Sequence, residues 1–96
     1  MDKSQIKQLK ALAHKLKPIV TVGQHGMKAS INDELAIALD FHQLVKVKVN
    51  VGDRDIRDTI ISEFAKTHNA ELVQKIGNIA VLYKRNFDKQ NLLKKQ

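Results

Sequence analysis

The residues of this chain whose types and spacing could do chemistry are Gly23-Gln24-His25-Gly26, a G-x-x-G followed by Met27-Lys28. Glycines without a Cβ let a backbone approach a phosphate closely, and free N–H groups at the start of a following helix point outward with positive potential. KH domains clamp a nucleic-acid backbone with this geometry. Gln24 could donate hydrogen bonds to phosphate or sugar, His25 could donate or stack on a base, and Lys28 would add a cation at the entrance. The alternative is a tight strand-to-helix turn that needs glycine for its dihedrals alone. The loop by itself leaves both readings open.

Other chemistries find less support. His14, His25, His42 and His68 match no compact zinc-ligand spacing. With no cysteine, disulfides, a thiol nucleophile and thiolate metal sites are excluded, and a reducing compartment is the default. Asp53 and Asp55 have no further carboxylates to complete an oxygen cage, and read as charges at a helix start. Serines and acids fall mainly where helix capping explains them. The expectation is no catalytic residue, no metal, no cofactor and no small-molecule substrate. Aromatics make up 4% of the residues, too few for a sheet that stacks several bases. Phe41 and Phe64 read as core, and Phe87 as cover for a sheet edge.

The chain has 96 residues and a net charge of +7. The excess sits at the ends: residues 1–30 carry six lysines and one acid, residues 31–70 five bases and seven acids, and residues 71–96 six bases and two acids. A basic surface with a more acidic side suits an oriented anion-binding face. No stretch is long and apolar enough for a membrane span, and the start lacks the apolar segment of a secretory signal. The expectation is one domain over residues 1–96, soluble, cytoplasmic and monomeric, with a loose or weakly helical tail over residues 87–96.

The elements that would position the loop follow from periodicity. Ile6, Leu9, Leu12, Ala13 and Leu16 give an amphipathic helix over residues 4–17, ended by Pro18. Residues 19–22 form a short strand closed by Gly23. Ile31, Leu35, Ala38, Leu39 and His42 mark a helix over residues 28–44, and residues 45–51 alternate valine with lysine or asparagine as a half-buried strand. Asp53 caps a third helix that ends near Asn69, with Ile56, Ile60, Ile61 and Phe64 as its stripe. Residues 71–76 and 79–85 pair as a hairpin through Gly77-Asn78. The predicted fold is an α/β (α+β) two-layer sandwich, an N-terminal helix then β-α-β-α-β-β with a four-stranded mixed sheet. Helices on one face would leave the other wet and basic, as Lys46 and Lys48 suggest. A strand between helices two and three argues against a helix-turn-helix.

Four segments together resemble the CRM (chloroplast RNA splicing and ribosome maturation) domain in its stand-alone bacterial YhbY-type form. They are residues 12–18 (LAHKLKP), residues 23–26 (GQHG), residues 40–51 (DFHQLVKVKVNV) and residues 77–85 (GNIAVLYKR). The resemblance implies a fold similar to the carboxy-terminal domain of translation initiation factor three, and RNA binding through the G-x-x-G loop and nearby basic residues. It further implies a role with ribosomal RNA in precursors of the large (50S) subunit, as an assembly or maturation factor. The expected RNA-binding residues are Gly23, Gln24, His25, Gly26 and Lys28, surrounded by Lys15, Lys17, Lys46, Lys48, Lys84 and Arg85. The alternative is a protein-interaction module whose basic face docks a ribosomal or other acidic protein, with RNA contact incidental.

Overall fold

A computed structural model describes residues 1–23 and 29–94. Helix α1 (Lys3–Ala13) starts on a reciprocal cap: Asp2 Oδ1 accepts from the Gln5 N–H at 2.8 Å, and Gln5 Oε1 accepts from the Asp2 N–H at 3.1 Å. It stops four residues short of the expected end, and a tight turn closes with the Leu16 N–H on the Ala13 carbonyl at 3.0 Å. Pro18 acts upstream of itself, because it disfavours helical geometry at the residue before it.

Strand β1 (Val20–Val22) leads to α2 (Ala29–His42), which ends where Gln43 takes a left-handed φ of 64°. Strand β2 (Leu44–Val49) follows. Helix α3 (Arg54–Thr67) is capped by Asp53, whose Oδ1 accepts from the Ile56 N–H at 3.0 Å. It closes with Asn69 at φ 52° and the Ala70 N–H reaching back to the Ala65 carbonyl at 2.8 Å, a Schellman ending. Strands β3 (Glu71–Ile76) and β4 (Ile79–Tyr83) form the expected hairpin, with Ile76 opposite Ile79. Gly77 supplies the positive φ of 57° that a type II′ loop requires at its first position.

The sheet runs β1-β2-β4-β3, with β1 parallel to β2 and the other pairs antiparallel. The fold is therefore α+β, three helices with a four-stranded mixed sheet. The last strand inserts between β2 and β3, and the short β1 lies at an edge. Val45, Val47 and Val49 of β2 pack with Leu35, Leu39, Ile61 and Phe64, so α2 and α3 cover one face. Opposite them Leu9 and Ala13 of α1 pack on Leu44, Val73, Val81 and Tyr83, with Leu92 and Leu93 alongside. The second face is thus partly covered by α1 and the C-terminal segment. The wet, basic area expected there is limited to the part around Lys46 and Lys48.

Three expectations meet a different outcome. Phe41 is 64% exposed, because the α2 stripe that meets the sheet runs through Leu35 and Leu39 and leaves Ile37 and Phe41 outside it. Phe87 is 87% exposed and covers no sheet edge. The chain beyond β4 is tied down through Lys94. Gln43, buried at the end of α2, accepts at Oε1 from Arg85 Nη1 (2.8 Å) and the Asn86 N–H (3.0 Å), and donates from Nε2 to the Gln90 carbonyl (2.8 Å). Gln8 and Lys94 then exchange two hydrogen bonds, at 2.7 and 3.1 Å.

Candidate nucleic-acid interface

Gln24, His25, Gly26, Met27 and Lys28 lie outside the described residues, and Gly23 is the root of the loop. Gly23 leaves β1 beside the end of β2, where the Asn50 N–H donates to the Val22 carbonyl at 2.8 Å. The β3–β4 turn folds against the same point: Asn78 Nδ2 donates to Asn50 Oδ1 at 3.1 Å, and the Val49 N–H donates to the Asn78 carbonyl at 2.7 Å. Gly52 and Arg57 complete an open cleft with Gly23, Asn50 and Asn78.

Two features of that cleft point outward. A Cβ built on Gly23 meets nothing within 4 Å among the described residues, and its φ lies outside the left-handed region. Among the described residues, then, neither a close neighbour nor a left-handed φ demands glycine at this position. Arg57, in the first turns of α3, has a buried Nε with no hydrogen-bond partner among the described residues. Arg57 also lines the cleft, where its guanidinium charge would attract an anion. Sequence reasoning passed over Arg57, since an arginine among the mixed charges of α3 carried no signal; its value comes from α3 starting beside the exit of β1.

The other expected residues divide into two groups. Thr21 and Lys48 are opposite one another across the β1–β2 pair, and both are exposed. Two residues of strand rise, about 7 Å, separate that pair from the level of Gly23. Lys46 is half-buried and donates from Nζ to the Leu16 carbonyl at 3.1 Å, which brings it beside the exposed Lys15 and Lys17. Lys15, Lys17, Lys46, Lys48 and Gly23 thus share the β1 side of the sheet.

Lys84 and Arg85 do not join them. The Lys84 N–H pairs with the Gln43 carbonyl at 2.8 Å, at the start of β2. Seven residues of strand separate that level from Asn50, about 23 Å. Arg85 is engaged inside the fold: Nη1 donates to Gln43 Oε1, to the Asn86 carbonyl and to the Lys89 carbonyl (3.0 Å), while the guanidinium lies 4.8 Å from the Phe87 ring centroid. Its first duty is to anchor the C-terminal segment.

The histidines do not converge, and among the described residues no group of three His, Cys, Asp or Glu could hold a metal ion. His68 is buried, with Nε2 3.0 Å from Asn32 Oδ1, an acceptor that makes Nε2–H the donor. Burial holds its pKa below the ordinary 6.5, and the nearby Lys84 charge adds to the effect. His42 is exposed, edge-on to Phe41 with ring centroids 4.8 Å apart. Among the described residues no helix is long and apolar enough to cross a membrane.

Comparison with known proteins places this arrangement in a family. The CRS1 / YhbY (CRM) domain model matches residues 1–84. A Pseudomonas aeruginosa protein named as a probable RNA-binding protein is 36% identical over 86 residues, 90% of this chain and 83% of its own length. A Haemophilus influenzae RNA-binding protein is 42% identical over 76 residues, covering 79% of this chain and 77% of its own. The solution structure of a Staphylococcus aureus protein superposes with a TM-score of 0.79 at 27% identity, over 95% of this chain and 93% of that one. That neighbour shares the α-β-α-β-α-β-β order and the mixed sheet. With the family model spanning seven-eighths of the sequence and such relatives matched over most of their own lengths, the chain belongs to the CRS1 / YhbY (CRM) domain family.

Proposed function

We propose that this chain is a non-enzymatic RNA-binding protein that holds ribosomal RNA in precursors of the large (50S) subunit as an assembly factor. The family and the names of its relatives support RNA as the ligand. The large-subunit assignment rests on the resemblance to stand-alone bacterial members. The observation that carries the clamp is Gly23, a glycine that neither its φ nor its described neighbours require. Close approach of a phosphate backbone is a reason that fits it. Gln24, His25, Gly26 and Lys28 would complete the contact beyond that root, and Arg57 would meet a phosphate from the other wall of the cleft. Lys15, Lys17, Lys46 and Lys48 extend the positive field along the β1 edge, while Lys84 and Arg85 stand apart from it.

The test is a fluorescence-anisotropy titration of a structured ribosomal RNA fragment against a matched DNA, over a range of salt. If Lys15, Lys17, Lys46, Lys48 and Arg57 each neutralise one phosphate, log K against log salt has a slope of about −3.5 to −4.5. Arg57→Gln makes it shallower by about 0.7–0.9, whereas Lys66→Gln, exposed at the far end of α3, leaves it alone. The double variant Gln24→Asp, His25→Asp loses RNA binding while its circular dichroism stays native. Unchanged binding by that folded variant, or a slope near zero, overturns the clamp. Association with precursor particles that survives nuclease and persists on an isolated ribosomal protein would put the protein-docking module in its place.

A further inference from the structure

The chain has three phenylalanines and one tyrosine, and the fold buries only Phe64 and Tyr83. Phe41 and Phe87 are 64% and 87% exposed, and Ile37, one turn before Phe41 on α2, is also exposed. Burying a phenylalanine contributes roughly 1.5–3 kcal/mol, a gain the fold forgoes twice in one region. Burial therefore does not account for these rings.

Each ring instead faces a cation. The Arg85 guanidinium carbon lies 4.8 Å from the Phe87 centroid, and Lys89 Nζ lies 4.4 Å from the Phe41 centroid. The segment carrying them is held in place. Asn86 Nδ2 donates to the Asp40 carbonyl (2.9 Å) and to Asp40 Oδ1 (3.0 Å), and Asn86 Oδ1 accepts from the Asp88 N–H at 3.0 Å. The Lys89 N–H closes a turn on the Asn86 carbonyl at 3.0 Å, while Arg85 Nη1 bridges to the Lys89 carbonyl. Beside the rings runs an open cleft lined by Asp40, His68, Lys84, Asn86 and Phe87. Lys84 and Arg85 balance Asp40 and Asp88 in its lining, and Lys89, over Phe41, adds a further cation outside it; Lys84 and Lys89 are exposed.

An ordered ring backed by a guanidinium, open to solvent and flanked by ammonium groups, complements a flat π system that carries a negative charge. An unstacked nucleobase with its phosphate has that chemistry, whereas a purely apolar protein ligand would leave the cations without a role. We propose that the Phe41–Phe87 face is a second RNA contact, which stacks unpaired bases at the end of the sheet opposite Gly23. The inference rests on the RNA-binding reading and goes beyond it. Phe87 and Lys89 lie past the residues matched by the family model, and the two ends are about 23 Å apart, the length of about seven stacked nucleotides.

The probe is a single-stranded oligoadenylate of about twelve nucleotides carrying one 2-aminopurine, whose fluorescence falls on stacking. Wild type is expected to bind and quench it. Phe87→Ala should weaken binding about 5- to 150-fold with an unchanged salt slope and restore the fluorescence. Phe87→Trp should bind and quench as wild type does, and Phe41→Ala should act in the same direction as Phe87→Ala. Both positions are exposed, and circular dichroism checks that the variants fold. Unchanged binding and quenching by Phe87→Ala overturns base stacking here, as does wild type that binds the structured ribosomal fragment but not the oligoadenylate. Either result leaves the clamp at Gly23 standing. Wild type that binds neither RNA overturns the RNA reading itself, and the stacking proposal with it.

Discussion

Replacing Gly23 by alanine separates the two reasons a loop can contain glycine. The added Cβ meets no described atom within 4 Å, and the backbone is not left-handed, so the described residues set no steric penalty on the folded state. The unfolded chain loses freedom, and such substitutions stabilise by about 0.4–1 kcal/mol. For a domain of this size that raises Tm by roughly 2–8 °C. Binding should move the other way. If a methyl group displaces a phosphate from one charge-assisted hydrogen bond, the loss of about 1.5–3 kcal/mol weakens RNA binding about 10- to 150-fold. Gly77→Ala is the internal contrast, since its φ of 57° is left-handed. There the strain of about 1–2 kcal/mol lowers Tm by roughly 4–16 °C, with no requirement that RNA affinity change. Thermal melts by circular dichroism, paired with anisotropy titration of the structured ribosomal fragment, read both quantities. A Gly23→Ala protein that melts several degrees lower would show the glycine to be structural. One that melts as expected and binds RNA with wild-type affinity would refute close approach at this residue.

Two further outcomes follow from buried polar groups. His68 has a pKa held below 6.5 in the folded state, so the unfolded chain takes up the proton first as pH falls. Its contribution is fully present above about pH 6.5 and is lost as pH drops through the lowered folded value. The Tm of wild type should therefore decline between pH 7.5 and pH 5 more steeply than that of His68→Gln; parallel declines would place the sensitivity elsewhere. Gln43→Ala removes an acceptor shared by Arg85 and Asn86 and a donor to Gln90, and puts alanine at a left-handed φ. Losing these bonds should destabilise the fold by about 2–4 kcal/mol and open the chain after Tyr83 to limited trypsin cleavage at Arg85 and Lys89. An unchanged melting temperature and digestion pattern would refute the anchoring role of Gln43.

The relation between sequence and structure is clearest at particular residues. Alternating Val45, Val47 and Val49 specified β2 and its buried face, because period two has one solution on a pleated strand. Asp53 announced α3, and Gly77-Asn78 set the hairpin register, since caps and turns are local chemistry. Phe41 was misread because an apolar residue near a helical stripe carries no label saying which side of α2 meets the sheet. The hydrogen bonds of the C-terminal segment were illegible for a related reason. Its residues are polar, and their partners, Gln43 and Gln8, lie 47 and 86 positions earlier in the chain.

By itself the sequence determined the elements, their order, the Asp53 cap, the Gly77-Asn78 turn and the G-x-x-G motif, one of four segments that together resemble the CRM family. All of these depend on residues within a few positions of one another. Only the tertiary structure decided that α1 crosses to the other face of the sheet, that Arg57 enters the cleft beside Gly23, and that Lys84 and Arg85 stand at the far end. It also decided that two phenylalanines are left in solvent beside cations. Those outcomes turn on strand order: inserting β4 between β2 and β3 sets which termini meet at each end of the sheet, and that depends on the sum of long-range packing.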